Sequence, residues 1–381
     1  MTGRYDVVVV GGGPVGAALA LELARTALQV ALIEARETAI PVEGFRPLAL
    51  SYGSRLIFER LAVWDELKPA TPIACIHISQ RGRFGRTLLT AAEADLPALG
   101  YVVDYAGLVS ALDAAVASSR LNVFSGARVT TMAYDASSAR VEFATANEVS
   151  DCIASLVVIA DGSALAGDVD VRTVDYGQSA VTALVGAEVP HRHIAYERFT
   201  PGGPIALLPL DQGYALVWTM RSEEADELTI ATPEAFLARL GDRFGERVGR
   251  FTGVGARTTH RLALRMAGRT TYGRTVIIGN AAQALHPVAG QGFNLGLRDA
   301  WELAGEIKRH GADSARLLEA YRARRRIDRA GGIAFTDALI RIFSNDLLPL
   351  RLARGAGLTL LDCLPPAKNF VVRRMIFGVR G

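Results

Sequence analysis

Residues 5–34 read YDVVVVGGGPVGAALALELARTALQVALIE. Val7, Val8, Val9 and Val10 are four β-branched residues in a row, the pattern of a strand buried on both faces. Gly11, Gly13 and Gly16 follow as G-x-G-x-x-G. The spacing predicts a helix over 17–25, with Pro14 near its first turn, where proline is tolerated. A second strand over 30–33 ends at Glu34. Each residue type has a physical job. Gly11 makes the tight turn, Gly13 lets the backbone approach a pyrophosphate, and Gly16 permits close helix–strand packing. The helix N-terminus offers N–H groups and a positive dipole end to phosphate. Glu34 stands 18 residues after Gly16, where a carboxylate accepts hydrogen bonds from a ribose. A lone G-x-G-x-x-G is weak, but strand, helix, second strand and acid in order make a dinucleotide-binding unit.

The unit leaves the dinucleotide open. A nicotinamide dehydrogenase continues with alternating strands and helices to finish one domain. This chain turns strand-rich from about 181 to 220, where VTALVGAEV, PIALLPL and YALVWTM are separated by the turn signals PGGP and DQG. Helical patterns return at about 234. RTVIIGNAAQALHP, from Arg274, then gives another buried-type strand over 276–278. The pattern predicts a dinucleotide domain interrupted by an inserted sheet and resumed near the C-terminus.

Composition narrows the class. A chain of 381 residues is long enough for two domains. Its 50% hydrophobic and 21% charged residues are those of a globular protein. A net charge of +3 argues against a nucleic-acid partner. Residues 322–381 hold twelve Arg or Lys against four Asp or Glu, a net of +8 that leaves about −5 on the rest. Such a segment is either a solvated face or a patch that touches anionic lipid or a partner. Cys75, Cys152 and Cys363 cannot all pair and form no CxxC, so neither a disulfide framework nor a zinc site is expected, and a reducing compartment fits. The uncharged run over 7–21 is broken by GGGP and is shorter than the ~20 residues of a spanning helix, so it reads as neither signal peptide nor transmembrane segment.

The second glycine cluster is HPVAGQGFNLGLRDA, residues 286–300. Its glycines precede a helix predicted from about Phe293, with Leu297, Ala300, Trp301, Ala304 and Ile307 at helical spacing. Glycines at a helix entry let backbone come close to something flat or anionic. A reduced isoalloxazine ring is both. Here the sequence resembles the FAD-dependent aromatic hydroxylases that share a fold with para-hydroxybenzoate hydroxylase, and within them the ubiquinone-biosynthesis branch. That branch carries H-P-x-[AG]-G-Q-G-x-N-x-G-x-x-D. It is met without mismatch by His286, Pro287, Ala289, Gly290, Gln291, Gly292, Asn294, Gly296 and Asp299. The likeness extends to FRPLALSYGSRLIFERLAVWDEL, GYVVD and YERFTPGGPIALLPL, and so covers nearly the whole chain.

The resemblance implies an α/β fold: a Rossmann-like FAD-binding domain of the GR2 type, an inserted antiparallel β-sheet substrate domain and C-terminal helices. The expected division is 1–75, 98–175 and 268–320 for the discontinuous FAD domain, 76–97 and 176–267 for the sheet, and 321–381 for the helices. Gly11, Gly13, Pro14, Val15 and Gly16, with Glu34, Ala35 and Arg36, would hold the ADP half of FAD. Arg46 would lie near the flavin and its ribityl chain. Asp161 and Gly162 match an Asp-Gly motif placed between flavin and NAD(P)H. Gly279 and Asn280 stand where the family has Gly-Asp on the ribityl chain; an amide still accepts such a bond and adds a donor. Pro287, Gly290, Gln291, Gly292, Phe293 and Asn294 would line the isoalloxazine ring. Leu165 and Asp168 depart from the family's Ser and Arg, and Tyr105 replaces an Arg that touches the pyrophosphate in many relatives. His286 is expected to order the loop, and the pair Arg298–Asp299 to act on the helix surface or anchor the loop.

The resemblance also implies the chemistry. NAD(P)H reduces FAD, dioxygen adds at flavin C4a to give a hydroperoxide, and a phenol ring attacks the distal oxygen in a dry pocket. No residue is assigned as nucleophile. The implied substrate is a polyprenylated phenol of the 2-polyprenyl-6-methoxyphenol type on the route to ubiquinone. Its tail would leave towards a membrane, and the basic C-terminal segment would meet lipid or other ubiquinone-biosynthesis proteins, or form an amphipathic closing helix with solvated arginines. The expected location is cytoplasmic, or peripheral on the inner membrane. The competing readings are a hydroxylase of small soluble aromatics, a flavin reductase of polyprenyl chains and a non-catalytic FAD-binding assembly subunit.

Overall fold

Val7, Val8, Val9 and Val10 lie in the strand Gly3–Val10 and are at most 3% exposed, buried on both faces as their branching predicts. In the computed structural model, which describes residues 3–37, 40, 44–67, 69–82, 84–135, 137–162, 169–286, 290–343 and 348–380, this strand is central to a sheet. Its order runs Thr271–Tyr272, Thr275–Ile277, Val149–Ile159, Gly3–Val10, Val30–Glu34, Asn122–Ser125. Alternation divides the valines between two cores. Val7 and Val9 join the core formed with helices Pro14–Ala24, Tyr105–Ala117 and Gln291–His310. Val8 and Val10 face strands Arg128–Tyr134 and Ala139–Ala144, through Val129, Val141 and Phe143.

The interruption read from the sequence is present. Thr275–Ile277 pairs in parallel with Val149–Ile159, so the chain leaves this sheet and returns to it beside that strand more than a hundred residues later. The excursion forms most of a nine-stranded sheet. Its long strand Val171–Ala187 lies between Thr258–Ala267 and Gly213–Arg221, followed outwards by Gly203–Leu210, Ile194–Thr200, Cys75–Gln80 and Arg86–Thr90. Val171–Ala187 runs across the expected 175/176 boundary without a break in the strand. A third, small sheet of Pro47–Ser51, Gly100–Asp104 and Thr71–Ile73 joins the two bodies.

The nine-stranded sheet has two different faces. Val181, Ala183, Ile205, Leu207, Leu216 and Trp218 on the outer one are buried under helices Ser222–Ile230 and Pro233–Phe244. The first of these helices precedes the helical return expected at about 234. Its acidic entry, Glu223 and Glu224, suits the positive dipole end, while Ala225 and Leu228 fill the core. The inner face packs on the rest of the molecule. Ala195 and Ala215 meet Ile73 and Val102, and Phe199 meets Leu358. The chain closes with helices Ala315–Phe343, Leu348–Cys363 and Pro365–Phe377. Among the described residues, no helix is long and apolar enough to cross a membrane.

Candidate functional site

The G-x-G-x-x-G glycines differ in what surrounds them. A Cβ on Gly16 would sit 1.9 Å from the Gly11 carbonyl oxygen, and one on Gly11, at φ +101°, would sit 2.5 Å from the Asp161 backbone. These two glycines weld helix to strand and strand to strand. At Gly13 nothing lies within 4 Å of where a Cβ would be. Gly13 opens the helix Pro14–Ala24, whose N-terminus has no side-chain cap and no acidic residue in its first turn. Open space before an uncapped helix end is what an approaching pyrophosphate requires. Glu34 closes the near side, accepting from Gly12 N through Oε2 and from Arg36 N at 2.7 Å through Oε1. A carboxylate has further lone pairs for a ribose. The Arg36 guanidinium turns away and pairs with Asp113 at 2.7 Å. Ala35 lies in the bend between them.

The other half comes from distant chain. Gly162, at φ +77°, stands opposite Asn280, 3.9 Å separating its Cβ position from the Asn280 Cβ. Gly279, at φ +63°, is pressed between Val15 and Gly296; a Cβ on Gly296 would be 2.9 Å from the Gly279 Cα. Asn280 is exposed on the one-turn helix Gly279–Ala281. The structure therefore brings Gly11, Gly13, Asp161, Gly162, Gly279 and Asn280 to one place. Arg46 joins this body from the loop before Pro47–Ser51. Its guanidinium lies over the Tyr105 ring at 5.0 Å, and its carbonyl accepts from Tyr105 N at 2.9 Å. A cation thus stands beside Tyr105, where the sequence lacks the family's arginine. Burial, then the nearby Arg46 charge, lowers the His260 imidazole from its ordinary value.

Helix Gln291–His310 starts two residues before the predicted point, because Gly290, at φ +60°, makes the entry turn. It too lacks a side-chain cap and a first-turn acid. Two uncapped N-termini in one body, with open backbone at Gly13, fit the diphosphate and the anionic ring edge of a flavin. Gly292 has only Leu285 near its Cβ position, at 3.7 Å, and Gln291 is buried. Phe293 turns its ring to Phe58, stacked at 6.4 Å. Asn294 is 3% exposed and its amide is filled by its own chain. Oδ1 accepts from Ser51 N at 2.8 Å and Ser54 Oγ at 2.7 Å; Nδ2 donates to Ala49 O at 2.9 Å and Gly290 O at 2.7 Å. The side chain is a clamp between the glycine loop and the strand Pro47–Ser51. Asn294→Ala is expected to cost about 2 kcal/mol, read as a lower urea midpoint at unchanged m. Pro287 and Ala289, and likewise Leu165 and Asp168, lie outside the described residues.

Of the two roles expected of Arg298 and Asp299, the surface pair is absent and an anchoring role remains: Asp299 is 2% exposed and its partner is not its neighbour Arg298. Oδ2 accepts from Gly279 N at 3.1 Å and Gln283 Nε2 at 2.7 Å, while Arg325 Nε donates to Oδ1 at 2.7 Å. Arg325 also meets Asp328 at 2.5 Å, and Arg298 meets Asp328 at 3.1 Å. Part of the basic segment points inwards, while Arg322, Arg326 and Arg373 are exposed. Arg324 pairs with Glu302, and Arg329 donates to Gln283 at 2.8 Å and to the Ala267 and Ala282 carbonyls. Sequence reasoning missed this network. Its one local signal is the i,i+3 pair Arg325 and Asp328 in a helix. His286 is 1% exposed and edge-on to Tyr176 at 5.7 Å; burial lowers its imidazole to about 4, so it is neutral at pH 7.

The profile of the family described as FAD binding domain matches residues 4–331. The ubiquinone hydroxylase UbiL of Rhodospirillum rubrum is 35% identical, over 97% of this chain and 88% of its own. The 3-demethoxyubiquinol 3-hydroxylase of Escherichia coli is 31% identical over 93% of each chain. The mitochondrial ubiquinone biosynthesis monooxygenase COQ6 of Homo sapiens is 28% identical over 97% of this chain and 92% of its own. Among solved structures, the p-nitrophenol 4-monooxygenase PnpA of Pseudomonas putida DLL-E4 superposes with a TM-score of 0.80 across 100% of both chains, at 18% identity. That likeness shows the fold.

Proposed function

The chain belongs to the FAD binding domain family, and on that premise we propose that it hydroxylates the ring of a polyprenylated phenol, of the 2-polyprenyl-6-methoxyphenol type, on the route to ubiquinone. It is an FAD-dependent aromatic monooxygenase; FAD, NAD(P)H and dioxygen are the reagents of its class. The relatives named as ubiquinone hydroxylases support the pathway. The division that goes with this reading assigns 1–75, 98–175 and 268–320 to the flavin body, 76–97 and 176–267 to the roof, and 321–381 to the closing helices, with the strand Val171–Ala187 and the helix Ala315–Phe343 running across two of its boundaries.

The observation that supports the substrate class is a small apolar cavity of about 60 Å³, room for the first carbons of a prenyl chain. Gln291 and Asn294 lie at its flavin-loop end. Leu50, Ile73, Ile76, Leu89 and Leu99 form its walls, with Val372, Met375 and Ile376 of the last long helix. That helix turns Phe370 outwards, 69% exposed, beside the corner residues Leu360 (61%) and Leu364 (45%). The first carbons of a prenyl chain would gain ~0.8 kcal/mol per buried CH₂ from these walls. The exposed corner is a monotopic contact for the bilayer that holds such a lipid. On this reading the docking surface is Leu360, Leu364 and Phe370 rather than the arginines of 322–329.

Bound FAD supplies the redox chemistry, accepting hydride from NAD(P)H and activating dioxygen. The chain supplies the rest. The helix end at Gly13 receives the diphosphate, and Glu34 a ribose. Arg46 offers the positive charge near Tyr105. Asn280 and Gly162 would border the ribityl chain, and the helix end at Gly290 would offer its N–H groups to the ring edge. The inner face of the roof keeps water from the reacting ring. The purified protein is expected to be yellow, with absorbance near ~450 nm, and to oxidise NADPH faster with a prenylated phenol, forming hydroxylated product. Much faster turnover of a water-soluble hydroxybenzoate would overturn the lipid-substrate reading. A yellow protein without turnover of any phenol would leave the assembly-subunit reading.

A further inference from the structure

We propose that Glu197 is the base of this site: its carboxylate accepts the hydroxyl hydrogen of the bound phenol and takes the proton as the ring reacts. The proposal rests on the phenol reading above and names the residue that recognises the hydroxyl.

Glu197 sits on the inner face of the roof, in the strand Ile194–Thr200. Alternation puts Ala195, Glu197 and Phe199 on one side. Ala195 packs on Ile73 and Val102 of the flavin body, and Phe199 on Leu358 of a closing helix. Glu197 therefore points between those two contacts, into the space the roof covers. In register it is opposite Ile78 on one side and Ala206 on the other. Ile76, which lines the cavity shared with Gln291, is opposite Ala195 on the same face. That is one pleat repeat, ~7 Å, from Glu197.

The carboxylate is half-buried and, among the described residues, makes no hydrogen bond or ion pair. Titratable or charged groups on the elements around this space are Tyr176 and His260 on roof strands, Arg46 below, and Asp337 and Arg354 on the closing helices. Tyr176 donates to Asp337 at 3.2 Å, and the Arg46 charge acts on His260. Desolvation alone pushes Glu197 up to about 7. A carboxylate held there is ionised often enough at neutral pH to accept a phenol hydrogen and basic enough to take it. A desolvated carboxylate without a partner on the inner face of the roof lowers stability, which fits a group kept for a ligand.

The reaction balances. The phenol O–H breaks, its proton goes to a Glu197 oxygen, and the electron pair stays on the ring oxygen, raising electron density at the ring carbons. One oxygen atom of dioxygen enters at a ring C–H. The ring carbon's proton leaves to water as aromaticity returns, and Glu197 hands its proton back. The other oxygen atom leaves as water, with two electrons from NAD(P)H through FAD.

The test uses the FAD-loaded protein, a short-chain prenylated phenol and its aryl methyl ether, with binding read from the flavin absorption band. At pH 8 the wild type should bind the phenol on the order of 10–100-fold more tightly than the ether, since the ether cannot fill the carboxylate. The ratio should fall towards pH 6 as Glu197 takes a proton. Glu197→Gln should make the ratio independent of pH, and Glu197→Met should bring it close to one. The folded-state value lies above the unfolded one, so the destabilisation by Glu197 is absent below about 4.5 and complete above about 7. Glu197→Met should accordingly melt roughly 2–4 °C higher at pH 8 and no higher at pH 4.5. A Met variant that keeps the wild-type ratio, or that melts lower at pH 8, overturns the assignment. If neither ligand perturbs the flavin in wild type or variant, the phenol reading falls and takes this assignment with it.

Discussion

Gly16→Ala should give a colourless protein of low stability, while Gly13→Ala should fold as the parent does and fail to hold FAD. The two glycines stand three residues apart in one motif, yet their surroundings are opposite. A methyl on Gly16 meets the Gly11 carbonyl at 1.9 Å. That oxygen belongs to the turn leaving the central strand, so helix and strand must separate by more than 1 Å. Overpacking of this kind costs about 3 kcal/mol, and the displaced helix end no longer faces its ligand. A methyl on Gly13 meets nothing, and its backbone, at φ −60° and ψ 171°, is ordinary for alanine. The methyl would occupy the ground a diphosphate needs and hold it away from the helix N–H groups. Loss of charge-assisted bonds of ~1.5–3 kcal/mol predicts FAD binding weaker by roughly a hundredfold. Flavin titration of the apoprotein and the melting temperature without FAD separate the two. A Gly13→Ala protein that purifies fully loaded would refute the phosphate site.

Asp299→Asn is expected to lower stability by about 3 kcal/mol at pH 7 and to weaken FAD binding with it. Asp299 and Arg325 are both buried, and the carboxylate also fixes Gly279 N and Gln283. An amide in its place keeps the shape but presents hydrogens to donors and leaves the Arg325 charge short of its main partner. Asp328 remains; it is buried too and is drawn down in pKa by Arg298 and Arg325 against its desolvation. Arg298 already shares it. The Gly279 turn, one wall of the ribityl side, loosens at the same time. Urea unfolding measures the first effect and flavin titration the second. Adding Arg325→Met should recover part of the stability, because the stranded charge is then gone. Full additivity of the two changes would count against a coupled buried pair.

These two predictions draw on different kinds of legibility. The G-x-G-x-x-G turn is written in neighbouring residues, so strand, glycine turn, helix and acid were all readable before any coordinates. The inserted sheet was readable because alternating apolar runs between turn signals are also local. The Asp299 network was not. Its members come from Gly279, Gln283, Asp299, Arg325 and Asp328, joined only when two helices pack. The helix Ser222–Ile230 was hidden for another reason: its apolar face is only Ala225 and Leu228, and the outer face of the roof supplies the rest. Within the second glycine cluster the composition announced a ring-binding loop, but not the direction of each side chain. Asn294 carries the signature and Phe293 stands within it, yet they turn inwards to the strand Pro47–Ser51 and to Phe58. Glu197 carries no signal in the sequence, because one acid in a strand has no signature until the sheet gives it a side.

The late return of Thr275–Ile277 to the central sheet has a consequence during synthesis. When the first strand, its glycine turn and its helix leave the ribosome, the sheet they belong to still lacks a member. The nascent chain must keep that apolar surface waiting while some 240 further residues are translated, ~12–50 s at ~5–20 residues per second. The flavin body therefore closes only after the later third of the chain has been made, and the strand–turn–helix unit that opens it must wait for that contact.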